Sequence, residues 1–236
     1  CSNPDIQTST NFLPIATLAS VPGSRVASWE AKLRNTKIVI VGATSAIAEH
    51  CARLWAQDRS VNLVLIGRDA SRIERVSKDL QVRSPGSSIS VMQADFHDPK
   101  SIGSTVASIV ADGPVDTVLI AHGYLPDQSI CQSDLTACRE ALDINGISPV
   151  LYAEAFANHM ERVGSGVLAL VGSVAGDRGR RSNYVYGAAK GLMTRYAQGL
   201  QHRFAGTGVS VVLIKPGPTD TPMTAHLKSK GAKMAS

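Results

Sequence analysis

The chain has 236 residues, 44% hydrophobic and 18% charged, with 24 Lys and Arg against 19 Asp and Glu for a formal charge of +5. That apolar share excludes a disordered chain, and at this length one core can remove roughly 70–75% of the unfolded surface from water. The basic residues are scattered and aromatics are only 5%, so a nucleic-acid surface is weakly supported and a polyanionic small ligand suits the charge equally well.

Residues 1–36 carry no strong period. Phe12 to Ser20 is a short apolar stretch with no basic residue before it, unlike a secretory signal. This segment is set apart as an N-terminal extension of unknown role, and Cys1 in place of Met reads as a fragment or a processed product. From Lys37 to Ser236 the chain reads as one catalytic domain. No apolar run approaches the ~20 residues that span a bilayer.

Short β-branched runs alternate with longer amphipathic stretches from Lys37 onward, the pattern of strand-helix-strand units around a parallel sheet. Strands are expected at Lys37–Val41, Val61–Ile66, Ser88–Gln93, Asp116–Ala121, Gly166–Val171 and Val209–Ile214. Helices are expected at Ala46–Gln57, Ser71–Val82, Lys100–Val110, Thr136–Glu161 and Tyr184–Phe204, bounded by Gly, Pro and Asp/Ser clusters. Each gap is long enough for a right-handed crossover. The predicted architecture is therefore α/β, a doubly wound, mostly parallel, Rossmann-type sheet in three layers. The cysteines at 1, 51, 131 and 138 form no CxxC or Cys/His run, so no metal site is expected and the thiols fit a reducing, cytoplasmic setting.

The first strand runs into Gly42-Ala43-Thr44-Ser45-Ala46-Ile47-Ala48 and then a helix, so small residues and free N–H groups face the place a pyrophosphate would occupy. Only Gly42 remains of the three glycines such turns usually carry, and a tight turn with no ligand is the competing reading. At the end of the second strand stands Arg68, where an NAD site would have a carboxylate for the ribose 2′-hydroxyl. A guanidinium there pairs bidentately with a 2′-phosphate, favouring NADP(H) over NAD(H), with Thr44 and Ser45 as hydroxyl donors. After the third strand, Ala94-Asp95-Phe96 brings Asp95 and its neighbour Phe96 to the adenine; a turn or N-cap role for Asp95 is the alternative.

Tyr186 and Lys190 are four residues apart near the start of the last helix, on one helical face. A phenol with an ordinary pKa of about 10 transfers protons poorly near neutral pH unless a fixed cation favours phenolate. Ser173 ends the fifth strand thirteen residues before Tyr186, and Asn145 lies within the preceding long helix. Tyr184 has Ala188 at i+4, so the lysine selects Tyr186 over it.

Asn145, Ser173, Tyr186 and Lys190, with the Gly42 turn and Pro216-Gly217-Pro218-Thr219-Asp220-Thr221 after the sixth strand, resemble the short-chain dehydrogenase/reductase family over about residues 37–236. The resemblance implies that Tyr186 is the acid toward a substrate carbonyl or secondary alcohol. Lys190 would hold the nicotinamide ribose and lower the phenol's pKa, Ser173 would hydrogen-bond the reacting oxygen, and Asn145 would seat a relay water. Pro216, Gly217, Thr219 and Thr221 would border the carboxamide. Ile120-Ala121-His122-Gly123 stands where the family usually has Asn-Asn-Ala-Gly, so Ala121, His122 and Gly123 alter contacts near the adenine ribose, with His122 a structural or cofactor-edge residue.

Fifteen residues follow Thr221, fewer than the family's usual lid, last helix and last strand, so the domain is expected to be incomplete at its C-terminus. The family further implies a homodimer or homotetramer, with Ala188, Ala189 and Gly191 permitting close packing between subunits. The loop Asp177-Arg178-Gly179-Arg180-Arg181 should overhang the reacting carbon and points to an anionic substrate, with a solvated loop as the competing reading. The sequence is most similar to a bacterial branch that includes reductases of keto-sugars on polyprenyl phosphate. Two other classes stay open: a nucleotide-binding sensor or scaffold without turnover, and a nucleotide-sugar epimerase or dehydratase, the latter disfavoured by the short C-terminal part.

Overall fold

The computed structural model describes residues 36–58 and 60–225, so the N-terminal extension up to Asn35 lies outside the described residues. Six strands, β1 (Lys37–Val41), β2 (Asn62–Gly67), β3 (Ser88–Gln93), β4 (Thr117–Ile120), β5 (Ser165–Val171) and β6 (Gly208–Ile214), form one sheet in the order β3-β2-β1-β4-β5-β6. Every pairing is parallel, with Val39 opposite Val64 on one side and Val118 on the other. Strands buried on both faces are apolar along most of their length, which is why β1, β2 and β4 were legible as runs after their first residues, Lys37, Asn62 and Thr117.

The pleat sends alternate residues to opposite layers. Ile38, Ile40, Leu63 and Leu65 meet Ala48, Ala52, Ile73 and Leu80 of α1 (Ala46–Asp58) and α2 (Ala70–Arg83). Val39, Val41, Val64 and Val118 meet α3 (Pro99–Ala111), α6 (Ser148–Val163) and α7 (Tyr184–Arg203) through Ile102, Tyr152, Phe156 and Met193. On the α1/α2 side, Val167, Val212 and Ile214 remain 36–43% exposed, because no described helix covers β5 and β6 there.

The predicted helix Thr136–Glu161 is instead three pieces: α5 (Leu135–Leu142), a π turn at Asp143–Ile147, and α6. Pro149 explains the break, since a proline has no N–H for the carbonyl four residues back and its ring collides with that carbonyl, here Asn145. A short helix not predicted from the sequence, α4 (Gln128–Ser133), precedes α5. Its signals were Asp127 and Asp134, which cap α4 and α5 through side-chain bonds of 2.8 Å to Ser129 and Thr136 N–H.

No described helix is long and apolar enough to cross a membrane. A groove of about 630 Å³ between α3 and α6, lined by Val106, Val110, Ala155, His159 and Arg162 among others, opens where those helices end. That is the amino edge of the sheet, opposite the residues that carry chemistry.

Candidate active site at the carboxyl edge of the sheet

The sheet order reverses between β1 and β4, and the crevice at such a switch is where α/β sheets take ligands. Gly42 turns the chain out of β1 at φ 84°. A Cβ there would lie 2.5 Å from the His122 backbone nitrogen and would also enter left-handed strain, so this position requires glycine. Thr44, Ser45, Ala46 and Ile47 follow, half-buried, at the N-terminus of α1. These residues fit a dinucleotide pyrophosphate: a cradle a Cβ would fill leads into a helix start with open N–H groups.

Arg68 is exposed just past β2 and forms no ion pair among the described residues. Its neighbour Asp69 is consumed as the N-cap of α2, accepting from the Ser71 hydroxyl at 2.7 Å and the Arg72 N–H at 3.1 Å, and these bonds hold its carboxyl below the usual range. One oxygen of this carboxylate is therefore committed to the start of α2. A concavity of about 410 Å³ between α1 and α2 brings Arg72 and Arg75 beside Thr44, two guanidiniums the sequence reading missed. The signal was a basic i, i+3 pair in the first turns of α2.

Asp95 takes the turn alternative with one oxygen, accepting from His97 N–H at 2.8 Å. Phe96 corrects an expectation, because its side chain is 2% exposed and sits in the core. Its ring lies 4.5 Å from His122 and 5.4 Å from Tyr152. Ala121 is buried and donates to Val41 O at 2.8 Å. His122 is buried too, with Nε2 3.0 Å from the Ser148 hydroxyl and Nδ1 without a partner among the described residues. Burial, then the Lys190 and Arg68 charges, push its pKa down to about 3, so the imidazole is neutral at any working pH and serves as a spacer against Gly42.

The cluster expected to react forms where β5 ends. Ser173 is extended at φ −166° and caps a 3₁₀ turn, Val174–Gly176, by accepting from Ala175 N–H at 3.1 Å. That turn lies directly on α7: a Cβ on Gly176 would come within 2.6 Å of the Lys190 backbone, and one on Gly187 within 2.9 Å of the Ala175 carbonyl oxygen. The two glycines let the turn that carries Ser173 lie on the helix that carries Tyr186, with the Ser173 hydroxyl near enough to the phenol to act on its pKa. Tyr184, two residues earlier, is 45% exposed at the helix start.

Lys190 is 3% exposed and its Nζ stands 5.8 Å from the centroid of the Tyr186 ring. It donates to Val171 O at 3.0 Å, with Met193 Sδ at 3.4 Å. Burial brings its pKa down to about 8. The phenol departs from the sequence expectation: burial raises the Tyr186 pKa and the Ser173 hydrogen bond opposes that rise, while the ammonium lies against the ring and bonds to Val171.

Asn145 is fully buried in the π turn, and its side chain is engaged on both sides: Oδ1 accepts from Tyr124 N–H at 2.8 Å, and Nδ2 donates to Ala141 O at 2.9 Å. It ties the strand β4 exit to the break before α6. A Cβ on Gly123, at φ 150°, would meet this Oδ1 at 2.7 Å.

After β6, Pro216 O accepts from Val174 N–H at 3.2 Å, which joins this segment to the Ser173 turn. Thr219 donates to Gly217 O at 3.1 Å, and Thr221 shares a capping box with Thr224 across 3.2 Å. Thr224 was missed because its signal, a Thr three residues after a Thr, is weak alone. Asp177 of the basic loop pairs with Lys215, leaving Arg178, Arg180 and Arg181 exposed. Ala189 and Gly191 correct a packing expectation: within this one chain Ala189 fills the space beside Gly146 and Gly191 abuts Gly176, so of the three small residues only Ala188 is exposed.

The family model for short chain dehydrogenase matches residues 36–232. An uncharacterized oxidoreductase of Mycobacterium tuberculosis is 33% identical over 182 residues, 76% of this chain and 72% of that protein. One from Streptomyces coelicolor is 32% identical over 189 residues, 79% of this chain and 74% of its own length. Among solved structures, a bulky-bulky ketone specific alcohol dehydrogenase from Comamonas testosteroni superposes with a TM-score of 0.72 at 25% identity, covering 80% of this chain and 74% of that one. A short-chain dehydrogenase from Sphingobium yanoikuyae in complex with NADPH gives 0.74 at 24%, covering 82% and 75%. With a sheet that reverses at β1 and β4, and a family match across nearly all of the described residues, the chain belongs to the short-chain dehydrogenase/reductase family of oxidoreductases.

Proposed function

We propose that the chain is an NADP(H)-dependent reductase or dehydrogenase acting on a carbonyl or secondary alcohol, with Tyr186 as proton donor and acceptor. One observation carries this reading: at the carboxyl edge of the sheet the Nζ of a buried lysine stands 5.8 Å from the ring centroid of the half-buried Tyr186, with Ser173 beside the phenol. NADP(H), when bound, supplies or accepts the hydride; orientation and proton transfer fall to the side chains. Ser173 Oγ, on the turn packed against α7 and beside the Tyr186 phenol, would hydrogen-bond the reacting oxygen. In reduction that oxygen takes the phenol proton while the lysine charge steadies the phenolate left behind. Lys190, with one N–H on Val171 and one toward Met193 Sδ, keeps its third donor for a ribose hydroxyl.

Gly42, Thr44, Ser45, Ala46 and Ile47 would hold the pyrophosphate, and Ala121, His122 and Gly123 would border the adenine ribose. Pro216, Gly217, Thr219 and Thr221 would border the carboxamide. NADP(H) over NAD(H) is supported by the unpaired Arg68, by Asp69 being spent on its cap, and by Arg72 and Arg75 nearby. An anionic carbonyl substrate such as a keto-sugar phosphate is supported by three exposed guanidiniums whose only neighbouring loop carboxylate is neutralised by Lys215. Homo-oligomeric assembly through α6 and α7 and a cytoplasmic setting complete the proposal; the free thiols of Cys51, Cys131 and Cys138 fit a reducing compartment.

The test is a titration of NADPH and NADH into wild type and Arg68→Ala, followed by a panel of ketones and keto-sugars. Wild type should prefer NADPH, and the substitution should erase roughly 10–100-fold of that preference, the worth of a charge-assisted bidentate contact. A wild-type preference for NADH would overturn the Arg68 assignment.

A further inference from the structure

Helix α7 carries both Tyr186 and Lys190, yet its own N-cap does not hold it: Asn183 makes no side-chain capping bond. The first-turn N–H of Val185 is bonded instead from 57 residues away. Gln128, the first residue of α4, accepts it through Oε1 at 3.0 Å in a buried bond. Val185 N–H occupies the place an ordinary cap would serve, and the next residue is Tyr186. The contact is dry. Gln128 is 8% exposed, and the Val185 side chain packs with Cys131 and Ala141 in a small apolar cluster.

The rest of the amide is poorly served, because Gln128 Nε2 is buried and has no hydrogen-bond partner among the described residues. The Val185 donor fixes which end of the amide is oxygen, so a flip cannot satisfy Nε2 without breaking the cap. A side chain kept for stability alone would be better replaced there by an apolar one of similar shape. We propose that Gln128 is a positioning residue, holding the first turn of α7 so that the Tyr186 phenol meets Ser173. The inference rests on Tyr186 being the proton donor.

Two variants separate position from bulk. Gln128→Met keeps the volume and removes the acceptor; Gln128→Glu keeps an acceptor oxygen at a helix N-terminus, where a carboxylate is welcome. In protein labelled with ¹⁵N-valine and ¹³Cζ-tyrosine, with Tyr186 assigned through Tyr186→Phe, Gln128→Met should exchange the Val185 amide about fivefold faster and shift the Tyr186 ring resonance. Gln128→Glu should restore both. The proposal is overturned if Val185 exchange in Gln128→Met stays within twofold of wild type, if exchange quickens equally across α7, or if the Tyr186 resonance does not move. These readouts need no turnover, so they stand apart from whether Tyr186→Phe abolishes reduction.

Discussion

Lys190 holds a positive charge where water reaches it least, and that has a thermodynamic consequence. With a folded pKa of about 8 and an unfolded value near 10.4, the protonated state at pH 7 costs on the order of 3 kcal/mol. The Val171 hydrogen bond returns roughly 1 kcal/mol of that. Lys190→Met should therefore stabilise the protein by about 1–2 kcal/mol at pH 7 while removing most activity, the trade-off expected of a strained functional group. Between pH 8 and about 10.4 the unfolded chain binds more protons than the folded one, so the wild-type penalty fades as pH rises. The advantage of the variant should shrink across that window, as denaturant unfolding at several pH values would report. An advantage that stayed constant with pH would mean that Lys190 is not charged and buried as described.

At the scale of elements, the 3₁₀ turn after β5 and the start of α7 set the Ser173 to Tyr186 contact, and Gly176 lets them meet. Alanine at 176 would drive a methyl against the Lys190 backbone, which cannot yield as a flexible side chain would. Gly176→Ala should lower stability by about 1–3 kcal/mol and activity at least tenfold. Gly179→Ala, in the same loop with open space around it, should change neither by more than a few tenths of a kcal/mol or twofold. Thermal unfolding and steady-state rates on the pair decide whether the turn is held by packing. This contact was not legible beforehand, because an intimate glycine and an idle one look the same in sequence. The strands were legible, since β-branched runs record burial on both faces. The π turn was half legible: the 3.6-residue period runs straight through it, and only Pro149 marks the break, which matters because Asn145 lies inside it. Phe96 was misread for the converse reason, that adjacency to Asp95 at a strand end does not say which way a ring turns.

Over the whole molecule, parallel strands in the order β3-β2-β1-β4-β5-β6 deliver every carboxyl end to one edge. Gly42, Arg68, His122, Ser173 and Pro216 each follow a different strand there, which is how residues more than 170 positions apart in the chain come to share one crevice. Of the proposed reacting groups, Tyr186 and Lys190 come from a helix, and both sit in the first two turns of α7. The account therefore stands on one phenol. It is tested most directly by Tyr186→Phe, a change of one oxygen, in a single-turnover reduction with NADPH and a carbonyl substrate found in the ketone and keto-sugar panel. The predicted result is a fall in rate of 10²–10⁴-fold, the span of general acid catalysis, with NADPH binding altered less than about threefold. A phenylalanine variant that reduced the same substrate within tenfold of wild type would contradict it.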